Sequence, residues 1–112
     1  MKDIKNQQQF QAALQEKDRV CALFYASWCP FSRRFLPEFD AAVGKNAGEF
    51  SSVRIDDIDD LCDDYDIRVF PSVIFFEKGK VLARLDGSLG RGLSGSQLAG
   101  LIDKCNARRT DR

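Results

Sequence analysis

The sequence predicts a single α/β domain whose central mixed sheet, of four to five strands, is flanked by helices on both faces. Residues 20–25 are apolar without interruption, as a strand must be when helices cover both of its faces. Strand and helix patterns alternate through the first half of the chain, which indicates parallel strands joined by helices. The second half then reads as a β-hairpin followed by a closing helix.

Size and composition fit one domain over residues 1–112. Of the 112 residues, 44% are hydrophobic and 11% are aromatic, which is enough to fill one core. The 17 basic and 17 acidic side chains cancel, so the overall charge favours neither nucleic acid nor an anionic membrane as a partner. The sequence has no histidine, the commonest general base and metal ligand. We expect a monomer without a metal or cofactor.

Three observations favour the cytoplasm. The chain turns polar directly after Met1, unlike a signal peptide. No apolar run approaches the roughly 20 residues of a membrane span. The four cysteines, Cys21, Cys29, Cys62 and Cys105, have neither the spacing of a disulfide framework nor that of a zinc site. We therefore expect a protein of a reducing compartment.

Apolar spacing predicts the first elements of the chain. Residues 3–4 are predicted to form a short edge strand. Asn6 then caps a helix that ends near residue 17, because apolar residues recur along it three or four positions apart. The buried strand at residues 20–25 follows.

A long helix is expected next, from Cys29 to about residue 44, on the same apolar spacing. Pro30 fits its first turn, where no helical hydrogen bond is lost. Pro37 lies well inside the helix. It should kink the helix, because proline lacks the backbone donor and clashes with the preceding turn.

The second half contains shorter elements joined by turns. In chain order they are a strand at 50–55, a short helical piece around 58–62, a strand at 72–76, a hairpin turn at 77–80 and a return strand at 81–85. A loop rich in glycine and serine, residues 87–95, leads to the final helix, and Ser94 and Gln97 have capping-box spacing at its start. Residues 108–112 are predicted to be a frayed tail.

Cys29 is the candidate functional residue. A cysteine at the first turn of a helix lies among unpaired backbone amides and at the positive end of the helix dipole, and both favour the thiolate. Arg33 and Arg34, one turn further on, add positive charge. We therefore predict that Cys29 is a nucleophile. The alternative is a small buried apolar residue, as most free cysteines are.

The residues around Cys29 resemble the active-site turn of the thioredoxin family. Trp28-Cys29-Pro30 matches the turn, and Phe70-Pro71 matches the place where the family carries a cis-proline. Further matches cover nearly the whole chain: Phe24-Tyr25-Ala26, Tyr65, the turn at 75–80, and Gly87. The resemblance implies the thioredoxin fold and thiol–disulfide exchange, as in thioredoxins and protein disulfide isomerase-like domains.

The same resemblance implies a substrate groove beside Cys29. Its walls are five side chains: Trp28, Pro30, Phe31, Phe70 and Pro71. Because proline has no amide hydrogen to compete, the backbone of Phe70 can pair with an extended substrate peptide. The alternative for Pro71 is an ordinary proline that opens a strand.

Three residues depart from the family's pattern. Ser32 replaces the second, resolving cysteine, so the motif is Cys29-Pro30-Phe31-Ser32. Leu23 stands where the family usually keeps a buried carboxylate that helps to deprotonate that cysteine. Arg54 stands where the lysine partner of this carboxylate is common. Without a second thiol a buried acid would only cost desolvation free energy, so the resolving half of the site is missing as a set.

A site with one cysteine predicts capture and exchange in preference to net reduction. The Cys29 thiolate can attack a disulfide and form a mixed disulfide with a protein substrate. Ser32 cannot displace that substrate, so release needs glutathione, another small thiol, or a second substrate cysteine. Ser32 is expected to support the site by donating a hydrogen bond to the Cys29 thiolate.

Two other functions stay open at this point. One is a redox-silent binding module that recognises partners through the groove between Trp28 and Pro71. The other is a conventional reductase in which Cys62, whose acidic segment leaves both burial and exposure open, or a second molecule resolves the intermediate. Cys21 and Cys105 are predicted to be packing residues.

Metal sites are disfavoured. The seven aspartates between residues 56 and 66 lack the loop glycine and terminal glutamate of a calcium-binding EF-hand, so they are predicted to form a solvated face. The motif at Cys29 also resembles one-cysteine glutaredoxins that share an iron–sulfur cluster. Trp28, Phe70 and the order of elements favour the thioredoxin family instead.

Overall fold

The computed structural model describes residues 2–46, 50–88 and 90–107, and it has the predicted order of strands and helices. The predicted tail at residues 108–112 lies outside the described residues. The elements are β1 (Lys2–Ile4), α1 (Gln7–Glu16), β2 (Arg19–Tyr25), α2 (Pro30–Asn46), β3 (Ser51–Asp56), α3 (Asp59–Asp64), β4 (Ser72–Glu77), β5 (Lys80–Asp86) and α4 (Gly95–Ala107).

The strands form one five-stranded mixed sheet in the order β1-β3-β2-β4-β5. β1, β3 and β2 run parallel, whereas β4 is antiparallel to both β2 and β5. The parallel half and the hairpin half therefore meet at β2 and β4. This arrangement confirms the prediction of a mixed sheet.

β2 lies at the centre of the sheet, and its position explains its sequence. It pairs with β3 on one side and with β4 on the other, and six of its seven residues are buried. Successive side chains of a strand point to opposite faces. Accordingly, Cys21 and Leu23 lie in the core on one face, and Ala22 and Phe24 lie in the core on the other. The uninterrupted apolar run serves both cores.

The helices divide between the two faces of the sheet. The apolar side chains of α1 and α3 pack on one face, and those of α2 and α4 pack on the other. The largest fully buried side chains include six phenylalanines: Phe10, Phe24, Phe35, Phe39, Phe75 and Phe76. Full burial of one such ring stabilises the fold by roughly 1.5–3 kcal/mol relative to exposure, so these rings account for much of the core.

The predicted helix caps are present. Asn6 Oδ1 accepts a hydrogen bond from the backbone amide three residues further on (2.9 Å). Ser94 Oγ accepts from the Gln97 amide (3.3 Å), while Gln97 Oε1 accepts from the Ser94 amide (3.0 Å), which completes the capping box of α4. Glu38 of α2 also accepts from the amide of Gly95 (2.8 Å), so the start of α4 is fastened to α2.

The hairpin between β4 and β5 turns at Lys78 and Gly79. Both residues have positive φ angles, 52° and 80°, as the favoured two-residue hairpin turn requires. Pro37 lies inside α2, as predicted, and its kink stays a prediction. Across the described ranges, no helix combines the length and the apolar content needed to cross a bilayer.

Candidate functional site

Cys29 lies between the end of β2 and the first residue of α2. Its carbonyl accepts the first hydrogen bond of the helix, from the Arg33 amide (3.0 Å), and its own amide donates to the carbonyl of Ala26 (3.0 Å). Cys29 is therefore the N-cap residue of a 17-residue helix, where unpaired backbone amides and the helix dipole favour negative charge. Only 9% of the residue is exposed, so a reacting group can reach it only over a small part of its surface.

Ser32 occupies the position of the missing second sulfur and is fully buried. Its Oγ accepts a hydrogen bond from the backbone amide of Ala26 (3.1 Å). This bond joins the first turn of α2 to the turn that carries Cys29. A hydroxyl can accept and donate at once, so the O–H of Ser32 is still able to donate. The sequence predicted a supporting role for Ser32, but its hold on the Ala26 amide was missed.

Trp28 projects into solvent and is 65% exposed, yet two contacts fix its ring. The indole Nε1 donates a hydrogen bond to Asp57 Oδ2 (3.0 Å). The ring also meets Phe70 edge to face, with centroids 6.1 Å apart and planes at 88°. The two sequence motifs that suggested a site, one before α2 and one before β4, are thus brought together in space.

Two aspartates brace the turn that carries Cys29. Asp56 Oδ1 accepts from the amide of Ser27 (2.8 Å), and Asp57 holds the indole of Trp28. The amide of Asp57 donates in turn to the carbonyl of Tyr25 (2.7 Å). The prediction of a solvated acidic face is therefore incomplete for these two residues. The available signal was their position at the end of β3, on the side of the sheet where β2 also ends.

The segment before β4 contains the second half of the site. The peptide bond between Phe70 and Pro71 is cis, which is the isomer that the resemblance implies. The Ser72 hydroxyl donates to the carbonyl of Val69 (2.7 Å) and accepts from the amide of Gly87 (3.2 Å). A Cβ atom at position 87 would collide with the carbonyl oxygen of Pro71, so this close approach requires glycine.

The loop after β5 borders the site on the side of α2. Gly92 has a φ of 71°, and a Cβ atom there would lie 3.0 Å from the Cβ of Phe31. Arg34 donates to the carbonyl of Arg91 (3.0 Å), and its guanidinium carbon lies 5.3 Å from the centroid of the Phe31 ring. Arg33 instead donates to the carbonyl of Ser27 (3.2 Å), next to Trp28.

The predicted groove residues differ in exposure. Trp28 and Pro30 are exposed, Phe31 and Phe70 are partly buried, and Pro71 is buried. Trp28, Pro30, Phe31 and Phe70 therefore present surface to a partner, whereas Pro71 shapes the backbone beneath it.

Leu23 and Arg54 have lost the polar relationship that the family pattern implies. Leu23 is fully buried in the apolar core beneath α2 and α4, and it is paired in register with Arg54 and Val73. The guanidinium of Arg54 forms an ion pair with Asp3 (3.1 Å). The position where the family keeps a carboxylate is thus apolar, and the Arg54 guanidinium is paired with Asp3 of the edge strand β1.

Cys62 is buried, which decides between the burial and the exposure that its acidic segment left open. It is 9% exposed and packs in the core between the sheet and α3. Burial, followed by the negative charges of Asp57, Asp59 and Asp63, raises the pKa of its thiol to about 11. Desolvation and nearby carboxylates both disfavour the thiolate, so Cys62 is held in the thiol form at neutral pH.

Cys21 and Cys105 are packing residues, as predicted. Both are fully buried in the core beneath α2 and α4. Burial and the neighbouring Cys105 raise the pKa of the Cys21 thiol far above its ordinary value. All four cysteines are free thiols. Among the residues whose placement is described, no three histidine, cysteine, aspartate or glutamate side chains cluster as a metal site needs.

Comparisons of the sequence with known proteins identify relatives of two sizes. Residues 2–99 match the family described as Thioredoxin. A thioredoxin of Mycoplasmoides gallisepticum is 34% identical over 82 residues, which cover 72% of this chain and 82% of that protein. Protein disulfide-isomerase A5 of Bos taurus is 28% identical over 88 residues, which cover 74% of this chain and 17% of that protein. The chain therefore spans only a small part of the isomerase.

Solved structures agree on the fold. The thioredoxin of Plasmodium falciparum superposes with a TM-score of 0.80 at 20% identity, covering 93% of this chain and 98% of that chain. The thioredoxin of Fasciola hepatica gives a TM-score of 0.80 at 19% identity, again covering 93% and 98%. The predicted thioredoxin fold is confirmed.

Proposed function

Because this chain belongs to the thioredoxin family of thiol–disulfide exchange proteins, we propose that it forms mixed disulfides with protein or small-thiol substrates through a single nucleophile, Cys29. One observation carries the proposal. Cys29 caps the N-terminus of α2, whereas the position of a second sulfur holds the buried hydroxyl of Ser32. Such a site favours isomerisation, removal of small thiols from proteins, or prolonged capture over efficient net reduction.

The proposed cycle needs two exchange steps. The Cys29 thiolate attacks one sulfur of a substrate disulfide, the new sulfur–sulfur bond forms, and the second substrate sulfur leaves as a thiolate that takes up a proton. An external thiolate, from glutathione, another small thiol or a second substrate cysteine, then attacks the mixed disulfide. Cys29 leaves as a thiolate and is ready for another cycle. When the second thiol belongs to the substrate, the substrate is isomerised without net transfer of electrons.

The resolving step is assigned to an outside thiol for two reasons. Ser32 has no sulfur, and its oxygen is bonded to the Ala26 amide. Cys62 lies in the core with a pKa of about 11, so almost none of it is thiolate at neutral pH. A conventional reductase cycle through Cys62 is therefore disfavoured.

The proposed substrates are disulfide-containing proteins that present an extended segment. Trp28 and Phe70 offer an aromatic surface next to Cys29, and the backbone of Phe70 is the expected pairing site for a substrate strand. The scattered free cysteines favour a reducing compartment, and we propose a cytoplasmic monomer.

Incubation with oxidised glutathione tests the proposal. We expect intact-mass spectrometry to show one glutathione per chain, located on Cys29 by peptide mapping, and reversal by added reduced glutathione. The variant Cys29→Ser should gain no adduct, and Cys62→Ser should behave as the wild type. A wild-type chain that gains no adduct, or gains it on Cys62, would contradict the proposal.

A second function is a redox-silent binding module. It is favoured by the way in which Trp28 is held, since its contacts with Asp57 and Phe70 do not involve sulfur. Under this function Cys29→Ser binds a partner as tightly as the wild type does. Under the thiol-exchange function, the same substitution abolishes the covalent complex.

A further inference from the structure

The segment that presents Phe70 and Pro71 leaves the end of α3 and enters β4. We name residues 65–71 the groove segment. It starts at Tyr65, the C-cap residue of α3, and continues through Asp66, which has a positive φ of 53°. At its far end the carbonyl of Val69 accepts a hydrogen bond from the buried Ser72 hydroxyl (2.7 Å). That end of the segment is therefore fixed to β4.

Arg84 of β5 fixes the other end. Its Nη1 donates to the carbonyl of Tyr65 (2.7 Å) and its Nη2 donates to the carbonyl of Asp66 (3.3 Å). The same guanidinium is held on its own strand by Asp86, with an Nη2–Oδ1 distance of 2.8 Å. The side chain thus bridges β5 and the start of the groove segment with three partners.

These contacts suit the chemistry of both partners. Tyr65 is the C-cap residue of α3 and Asp66 follows it, so both carbonyls lie just beyond the helix, where a basic side chain can satisfy them. The planar guanidinium directs several donors at once, which an ammonium group cannot do with the same geometry. Arg84 is only 32% exposed, so water competes less for these bonds than it does at a fully exposed arginine.

We infer that Arg84 is a positioning residue for substrate exchange: it holds the groove segment at the distance from β5 that sets Phe70 against Trp28. The inference rests on the proposed function. Between the Arg84 contacts and Val69 the segment has one further backbone tie, from the Ile67 amide to the carbonyl of Cys62 (2.8 Å). The start of the segment is also held by backbone bonds to α3 and by the packing of Tyr65 and Ile67 on the core. Loss of the arginine therefore removes its tie to β5, and Phe70 lies only a few residues further on.

Lys80 provides a matched control. It lies on the same strand as Arg84, at the hairpin end of β5, and it is exposed. Removal of Lys80 changes the net charge as removal of Arg84 does. It leaves the bridge between Arg84 and the groove segment intact.

The test compares two reactions of Cys29 in the wild type, Arg84→Met and Lys80→Met. The first is alkylation by iodoacetamide, which needs the thiolate but no groove. The second is exchange with an extended peptide whose single cysteine carries a chromophoric thiol leaving group. Loss of two hydrogen bonds predicts an exchange rate about threefold to tenfold lower in Arg84→Met, with unchanged alkylation. Lys80→Met should keep both wild-type rates.

The outcomes separate this inference from the proposed function. Wild-type Cys29 that exchanges with no disulfide overturns the proposed function and this inference with it. A wild type that exchanges, together with an Arg84→Met variant whose ratio of exchange to alkylation is unchanged, overturns the inference alone. If Arg84→Met does not fold by circular dichroism, Arg84→Lys replaces it. That variant keeps the charge but loses the planar set of donors of the guanidinium, so we expect a smaller decrease in the ratio of exchange to alkylation.

Discussion

Restoring the second sulfur is the most direct perturbation of this site. We predict that Ser32→Cys raises the rate of insulin reduction driven by dithiothreitol well above that of the wild type. With a second thiol at position 32, the mixed disulfide on Cys29 can be displaced within the same molecule. The effective concentration of such a tethered group is commonly millimolar or higher, so release no longer depends on a small thiol from solution.

The structure also predicts a cost of this substitution. Ser32 Oγ accepts from the Ala26 amide at 3.1 Å in a fully buried position. Sulfur is a weak acceptor, so the substitution should lower the free energy of unfolding by about 0.5–1.5 kcal/mol. For a domain of this size, about 1 kcal/mol corresponds to a decrease in Tm of about 4–8 °C. Both thiols must be reduced before the Tm is measured, because a disulfide between them would itself change the Tm.

Ser32→Ala is the matched control for this prediction. It loses the same hydrogen bond but supplies no thiol, so it should lower the Tm by a similar amount and should not raise insulin reduction above the wild-type rate. Turbidity of the precipitating insulin B chain measures the activity, and differential scanning calorimetry measures the Tm. A folded Ser32→Cys protein that reduces insulin no faster than Ser32→Ala would refute the proposed role of position 32.

Three further predictions concern residues around the site. Burial and nearby carboxylates raise the pKa of Cys62 from 9.0 to about 11, so its contribution to stability is complete below pH 9 and is lost as the pH rises toward 11. Over that range the wild type should lose more stability than Cys62→Ala does, as measured by urea unfolding at each pH. Gly87→Ala should lower the free energy of unfolding by about 1–3 kcal/mol in the same assay, since its Cβ would collide with the carbonyl oxygen of Pro71, whereas Gly100→Ala, whose Cβ meets no atom within 4 Å, should cause no such decrease. Asp57→Ala should lower the steady-state fluorescence anisotropy of Trp28, the single tryptophan of the chain, because its Nε1 loses its hydrogen bond; unchanged anisotropy would show that Phe70 alone holds the ring.

The sequence allowed the fold to be predicted because local patterns and burial agree along most of the chain. The apolar run of β2 indicated cover on both faces, and Asn6 and Ser94 marked helix starts that the structure confirms. Cys62 was harder. It lies in a segment that is acidic in composition, yet its side chain faces the core, because α3 exposes its aspartates and buries the opposite side.

The parts of the site that were missed depend on contacts between distant segments. Asp56 and Asp57 bind the turn before α2, and Arg84 binds carbonyls of the groove segment. Charged residues on a strand or after it usually lie in solvent, so their composition alone does not identify such partners. Ser32 was predicted from its place in the motif, but its bond to the Ala26 amide depends on the angle between β2 and α2.

The buried hydroxyl of Ser32 also affects how long a captured substrate stays attached. In a site with two thiols, release is unimolecular and its rate is set by the protein. Under the proposed function, release from Cys29 is bimolecular, so the lifetime of the covalent complex is inversely proportional to the concentration of the attacking thiolate. The fraction of chains that carry a substrate would then follow the thiol pool around them, and a change in that pool would alter occupancy without any change in the protein.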